Sequence, residues 1–185
     1  RPGHADLAGV ATFDRADVRD ILERASARET AARVAAGAIA RQLLAAAGIH
    51  VTSHVFAVGP VRLAEGRTVA FDEAAALAAD APFRCADPDA EARMMIEVDR
   101  ARDAGDTLGG AFEVIVSGVP PGLGSYTQWD RKLDGQLAQA LMSIPAIKAV
   151  GIGIGPEAAY RPGSKVHDEM VIDDAAVHAT GIARP

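Results

Sequence analysis

The segment Glu23-Arg24-Ala25-Ser26-Ala27-Arg28-Glu29-Thr30 holds the densest set of side chains able to do chemistry, and it leads into a long alanine-rich run. Ser26 is placed to cap the free amides of a starting helix, and Glu29, three residues on, completes a capping box. The same residues allow a second reading. Arg24 and Arg28 put two cations beside a helix N-terminus, where the dipole and unpaired N–H groups favour an anion. A structural cap and an anion site both fit this pattern. His4, in Arg1-Pro2-Gly3-His4-Ala5-Asp6, offers an imidazole that titrates near neutrality, with Asp6 close enough in sequence to orient it. That combination suits a general acid or base, although a loop histidine without function is the commoner case.

Other motifs carry less. His167-Asp168-Glu169 has the residue types of a metal site. Three adjacent side chains rarely converge on one ion, and no second cluster completes a ligand set, so no metal is assigned. Gly151-Ile152-Gly153-Ile154-Gly155 has the wrong glycine spacing for a dinucleotide fold, and Pro156 stands where the third fingerprint glycine belongs. Gly122-Leu123-Gly124-Ser125 lacks the lysine of a phosphate loop and reads as a tight turn.

The elements that must position these residues follow from periodicity. Residues 27–47 predict a helix, with Glu29 and Arg33 spaced as an i,i+4 pair and Gly48 as its stop. Small side chains on nearly every face predict that this helix lies buried between layers. Ile49, Val51, Val55 and Val58 mark a strand over 49–58, closed by Gly59-Pro60. Asp87-Pro88-Asp89 is a start signal for a helix over 90–102, with Met94, Met95 and Val98 as its apolar stripe and Gly105 after it. A strand over 109–119 carries Phe112, Val114 and Val116 and ends at Pro120-Pro121-Gly122. A helix over 133–144 and a strand over 147–154 complete the reading. This order permits either a doubly wound sheet or a layered α+β sandwich.

Composition sets the outer limits. With 185 residues and 49% apolar content, the chain is expected to form a single core domain over 1–185. Its 25 acids against 19 bases give a net charge of −6, and no basic run tracks a phosphate backbone, so nucleic acid is not an expected partner. The single cysteine, Cys85, makes no intramolecular disulfide, which points to the cytosol. No apolar stretch is long enough for a bilayer, and the first residues lack the order of a signal peptide, so no membrane partner is expected. The chain opens on Arg1 rather than Met, and truncation is the expectation.

Taken in order, the motifs resemble the chorismate synthase family. The resemblance is carried by Arg1-Pro2-Gly3-His4-Ala5-Asp6, Leu22 through Ala31, and Gly105-Asp106-Thr107-Leu108-Gly109-Gly110. It continues through Pro121-Gly122-Leu123-Gly124-Ser125, Trp129-Asp130-Arg131-Lys132-Leu133-Asp134, Ala140-Leu141-Met142-Ser143-Ile144 and His167-Asp168-Glu169. It implies an α+β fold, a β-α-β sandwich with central helices between sheets. It implies a lyase that converts 5-enolpyruvylshikimate 3-phosphate to chorismate by 1,4-anti elimination, requires reduced FMN and works as a cytoplasmic homotetramer. Arg1 and Arg28 match substrate-binding positions. Arg24, Ala25 and Ser26 match a flavin-contacting segment, Pro145 and Ala146 match a second one, and His4 matches a catalytic histidine.

The chain also departs from the family pattern. Thr12-Phe13-Asp14 stands where the family commonly has Lys-Tyr-Gly, Gly151 replaces a glutamate, and Pro156 replaces an aromatic residue. The family's opening Gly-Glu-Ser-His-Gly motif and its closing motifs are missing, so the resemblance spans the chain but only the middle of the family's length. Two expectations follow from it. Either the chain is the catalytic core of a competent lyase, or by itself it is a catalytically incomplete folding or assembly core with at most weak flavin binding. An unrelated phosphate-ester enzyme that uses Arg24 and Arg28 as an anion site is the third reading.

Overall fold

The computed structural model of the chain describes residues 5–22, 28–167, 170–173 and 176–179. The chain divides into two compact units, Arg1–Leu43 with Gly124–Gly155, and Leu44–Leu123 with Pro156–Pro185.

In the second of these, the β-branched run forms strand β1, His50–Val58. The turn at Gly59-Pro60, with Gly59 at φ 54°, returns the chain into the short β2, Val61–Arg62, which pairs antiparallel with β1. Strand β3, Gly110–Ser117, lies antiparallel on the other edge of β1, giving the order β2-β1-β3. Register runs from His50 opposite Ser117 to Val55 opposite Phe112, then resumes past a bulge with Ala57 opposite Ala111. Gly118, at φ 74°, closes the pair. A Cβ there would sit 2.0 Å from the Gly48 carbonyl oxygen, so only glycine fits.

Helices α4, Phe71–Ala75, and α5, Pro88–Asp103, supply the layer that buries this sheet. Asp87 caps α5 by accepting from the Asp89 and Ala90 amides at 2.9 and 3.1 Å, with Pro88 opening the helix as its start signal predicts. Val58, Leu63, Val69, Ala74, Cys85, Ala90 and Met94 form the core, with Phe56, Phe83 and Ile115 packed against it. The connection before α5 is tied down by two charged side chains. Arg84 donates to the carbonyls of Ser53, Ala74, Leu77 and Ala78, and Glu91 accepts from the Phe83 and Cys85 amides. The other face of the sheet is open: Phe112, Val114 and Val116, directly opposite Val55, Ser53 and Val51, remain partly exposed.

The first unit carries α1, Ala5–Phe13, α2, Arg19–Leu22, and all but the last residues of α3, Arg28–Ala46. Gly9 lets α1 meet α2, since a Cβ there would lie 2.3 Å from the Ile21 side chain. Helix α6, Leu133–Met142, follows a loop in which Ser125 donates its backbone N–H to the Arg131 carbonyl. Helix α3 matches the expected span but not its expected setting. None of its described residues is buried, and Val34, Ile39 and Leu43 are 67%, 72% and 74% exposed. Small side chains all round allow a helix to lie between layers, but the layers must come from elsewhere, and the described residues do not supply them.

Two further differences concern strands. Residues 147–154, expected as a strand, are irregular and run into a 3-10 helix, Gly155–Tyr160. Glycine at 151, 153 and 155 leaves one face with nothing to pack, and Gly153 and Gly155 take positive φ, which ends extended structure. A hairpin that periodicity did not reveal pairs β4, Met170–Asp173, with β5, Ala176–Ala179.

Candidate functional site

Of the residues singled out in the sequence, Arg1, His4, Arg24, Ala25 and Ser26 lie outside the described residues. Arg28 is the first residue of α3 and is exposed. Pro145 and Ala146 lie just past α6 and are also exposed. Asp6, in the first turn of α1, is 7% exposed and accepts from the Leu7 amide at 2.9 Å.

The opening turns of α3 use the expected i,i+4 pair: Arg33 Nε donates to Glu29 Oε1 at 3.3 Å. Arg33 also reaches a segment 110 residues away, where its Nη1 donates to Ser143 Oγ at 2.9 Å. Ser143 Oγ donates onward to the Ala140 carbonyl at 2.7 Å. The end of α6 is thereby attached to the start of α3 through Glu29, Arg33 and Ser143.

Beyond Ser143 the chain makes a tight turn. Ile147 N–H donates to the Ile144 carbonyl at 3.2 Å, with Pro145 and Ala146 as the central residues and Ala146 at φ 71°. Proline followed by a left-handed residue is the signature of a type II turn, which favours glycine at the second central position. Alanine there costs about 1–2 kcal/mol. The Arg33–Ser143 hydrogen bond thus ties the helix that Arg28 opens to the segment leading into the Pro145-Ala146 turn, which is strained and exposed.

Asp14, where the resemblance implies a glycine, adopts φ 48°, a left-handed conformation that aspartate is among the residues to tolerate. Thr12 Oγ1 donates to the Ala8 carbonyl at 2.8 Å, and Phe13 is 66% exposed. Between α1 and α2, Asp17 and Arg19 form an exposed forked ion pair at 2.6–3.1 Å. Arg19's side-chain hydrogen bonds hold the Asp17 carboxyl below the usual carboxylate range, and Asp17 in turn raises Arg19.

Two buried groups lie in the other unit. Burial pushes the Cys85 thiol up, so it stays protonated and unreactive. His54, 3% exposed, places Nε2 3.0 Å from Glu113 Oε2 across the β1–β3 pair, while its Nδ1 has no hydrogen-bond partner among the described residues. Sequence reasoning missed this pair, which the β1–β3 register alone would have exposed. His167 is exposed behind a short 3-10 helix, Gly163–Lys165, and Asp168 and Glu169 lie outside the described residues. Among the described residues no group of three or more His, Cys, Asp or Glu could hold a metal, and no helix is long and apolar enough to cross a membrane.

Comparison with known proteins gives a consistent result. The sequence profile of a family described as chorismate synthase matches residues 1–183. A chorismate synthase of Geobacter metallireducens is 53% identical over 187 residues, covering 100% of this chain and 47% of the relative. Those of Brevibacillus brevis and Moorella thermoacetica are 56% and 58% identical, each covering 92% of this chain and 44% of the relative. A solved structure described as "Crystal Structure of Chorismate Synthase" superposes with a TM-score of 0.84 at 42% identity, covering 95% of this chain and 56% of that one. The chain spans about half the length of the curated relatives it matches.

Proposed function

Because the chain belongs to the chorismate synthase family, we propose that it forms the central part of a lyase that converts 5-enolpyruvylshikimate 3-phosphate to chorismate. The observation that carries this is the family match over residues 1–183. In the reaction the carbon–oxygen bond to phosphate breaks with its electron pair leaving on the phosphate. A ring proton departs from the opposite face, its bonding pair forms one double bond, and the ring double bond already present shifts to the carbon that the phosphate leaves. Phosphate departure is eased by cations placed in advance, each making charge-assisted hydrogen bonds that strengthen as negative charge builds. Arg1 and Arg28 take that role, and His4 serves as general acid or base.

The residues present fit an anionic flavin. Arg28 and the first amides of a 19-residue helix would offer cationic and N–H donors, and the exposed Pro145-Ala146 turn, tied to that helix through Ser143 and Arg33, would offer a surface of small side chains. Arg24, Ala25 and Ser26 would hold the cofactor from one side, Pro145 and Ala146 from the other. Reduced FMN, when bound, supplies an electron-rich ring to a reaction with no net redox change. Arg24 would meet the negative charge of the ligand, and the Pro145-Ala146 turn would supply the second contact.

The whole protein is read as a cytoplasmic homotetramer in which α3 lies between sheets of a β-α-β sandwich. The bare apolar side chains Val34, Ile39 and Leu43 support that arrangement, since they stabilise the fold only when covered. The same observation favours a second reading for the 185 residues by themselves: an incomplete core with weak flavin binding and no turnover.

An anaerobic chorismate-formation assay with reduced FMN tests both readings. A protein of the family's full length containing this chain is expected to turn over, and the 185 residues alone are not. Turnover by the isolated chain overturns the second reading. No turnover by the full-length protein overturns the first.

A further inference from the structure

We infer that Arg33 is a positioning residue that couples the start of α3 to the Pro145-Ala146 turn, and so holds in place a turn assigned to flavin. Its consequence for flavin rests on the functional reading above; the coupling itself does not. Arg33 follows Glu29 by one helical turn, and the two directions of its guanidinium are used separately. Nε goes back to Glu29 Oε1 at 3.3 Å along α3, and Nη1 goes across to Ser143 Oγ at 2.9 Å. The Ser143 proton is committed to the Ala140 carbonyl at 2.7 Å, so the hydroxyl presents a lone pair to Arg33 and is fixed from both sides. Donors fixed in a planar fork satisfy two partners in different directions at once, which a single ammonium on a flexible stem does poorly.

The position of the bridge gives it leverage. Ser143 is the first residue past α6, and the turn that follows holds Ala146 in the left-handed region. A strained turn keeps one geometry only where its surroundings hold it there. The bridge is itself open to water, with the Arg33 side chain 43% exposed, so it adds little to global stability. A group that contributes little stability yet links two segments of one site is best explained by what it positions.

The test uses the chain as it stands, with Arg33→Ala, Arg33→Lys, Ser143→Ala and the double Arg33→Ala/Ser143→Ala variant. Amide hydrogen exchange over residues 143–147 is measured without ligand, and FMN is titrated by its own fluorescence. Exchange at Ile144 and Ile147 is expected to quicken roughly fivefold to tenfold in Arg33→Ala, with melting temperatures within about 2 °C of the unmodified chain. The FMN dissociation constant is expected to rise about tenfold in each alanine variant and no further in the double, since the two residues act through one link. Arg33→Lys should recover part of the loss. Unchanged exchange in Arg33→Ala overturns the coupling. Normal FMN affinity in Arg33→Ala overturns its role in the site. If the unmodified chain binds no FMN while exchange still responds to Arg33→Ala, the flavin reading fails and the coupling stands.

Discussion

The layer formed by α4 and α5 against β1 and the region around α3 and α6 both carry apolar side chains on helices, and they end in opposite states. In the first, Ala74, Ala90 and Met94 are fully buried, and the polar groups around them are paired through Arg84 and Glu91. In the second, Val34, Ile39 and Leu43 stand 67–74% exposed, and Leu137 and Met142 are 43% and 46% exposed. Helix α5 turns Ala90 and Met94 to one face, whereas α3 spreads small apolar side chains over nearly every face. What also differs is whether a second layer is present to cover them, because apolar surface stabilises only where it leaves water. The α4–α5 layer buries one face of the sheet, whereas α3 presents apolar side chains that the described residues do not cover.

Paired substitutions break or sharpen this contrast. The largest effect is expected from Met94→Ala, which should cost about 2–5 kcal/mol in urea-induced unfolding by opening a cavity, whereas Ile39→Ala on bare α3 should change stability by less than about 0.5 kcal/mol. Comparable losses at both positions would show that α3 is covered in solution by something the described residues do not include. Next comes Arg84→Ala, expected to cost about 2–3 kcal/mol because several carbonyls near the end of α4 lose a charged donor. The smallest effect is a gain. Asp14→Gly should raise stability by about 0.5–1 kcal/mol, since glycine takes the left-handed conformation without strain, and a thermal melt reads this as a small upward shift.

The parts of the fold legible in the sequence are those set by local chemistry. The Asp87-Pro88 start of α5, the β-branched run of β1 and the Glu29–Arg33 pair all appear where spacing predicts them. The parts that were not legible depend on distant partners. Residues 147–154 have the alternation of a strand but glycines that bend away from one, and the bare state of α3 depends on layers that its periodicity cannot report. The same division runs through the site. Residue types around Arg24 and Arg28, taken alone, favour a cap with an anion site as its rival, and the flavin assignment of Pro145 and Ala146 comes only from the family resemblance. The link from Arg33 to Ser143 spans 110 residues and leaves no trace in local pattern.

Under the function proposed above, the segment entering α3 and the Pro145-Ala146 turn would both contact one flavin. Hydrogen exchange of the chain with and without saturating FMN addresses it directly. The account predicts slowed exchange in peptides covering residues 24–31 and 143–147 together, with little change in the α4–α5 core. Protection at only one of the two segments, or confined to other parts of the chain, would contradict it.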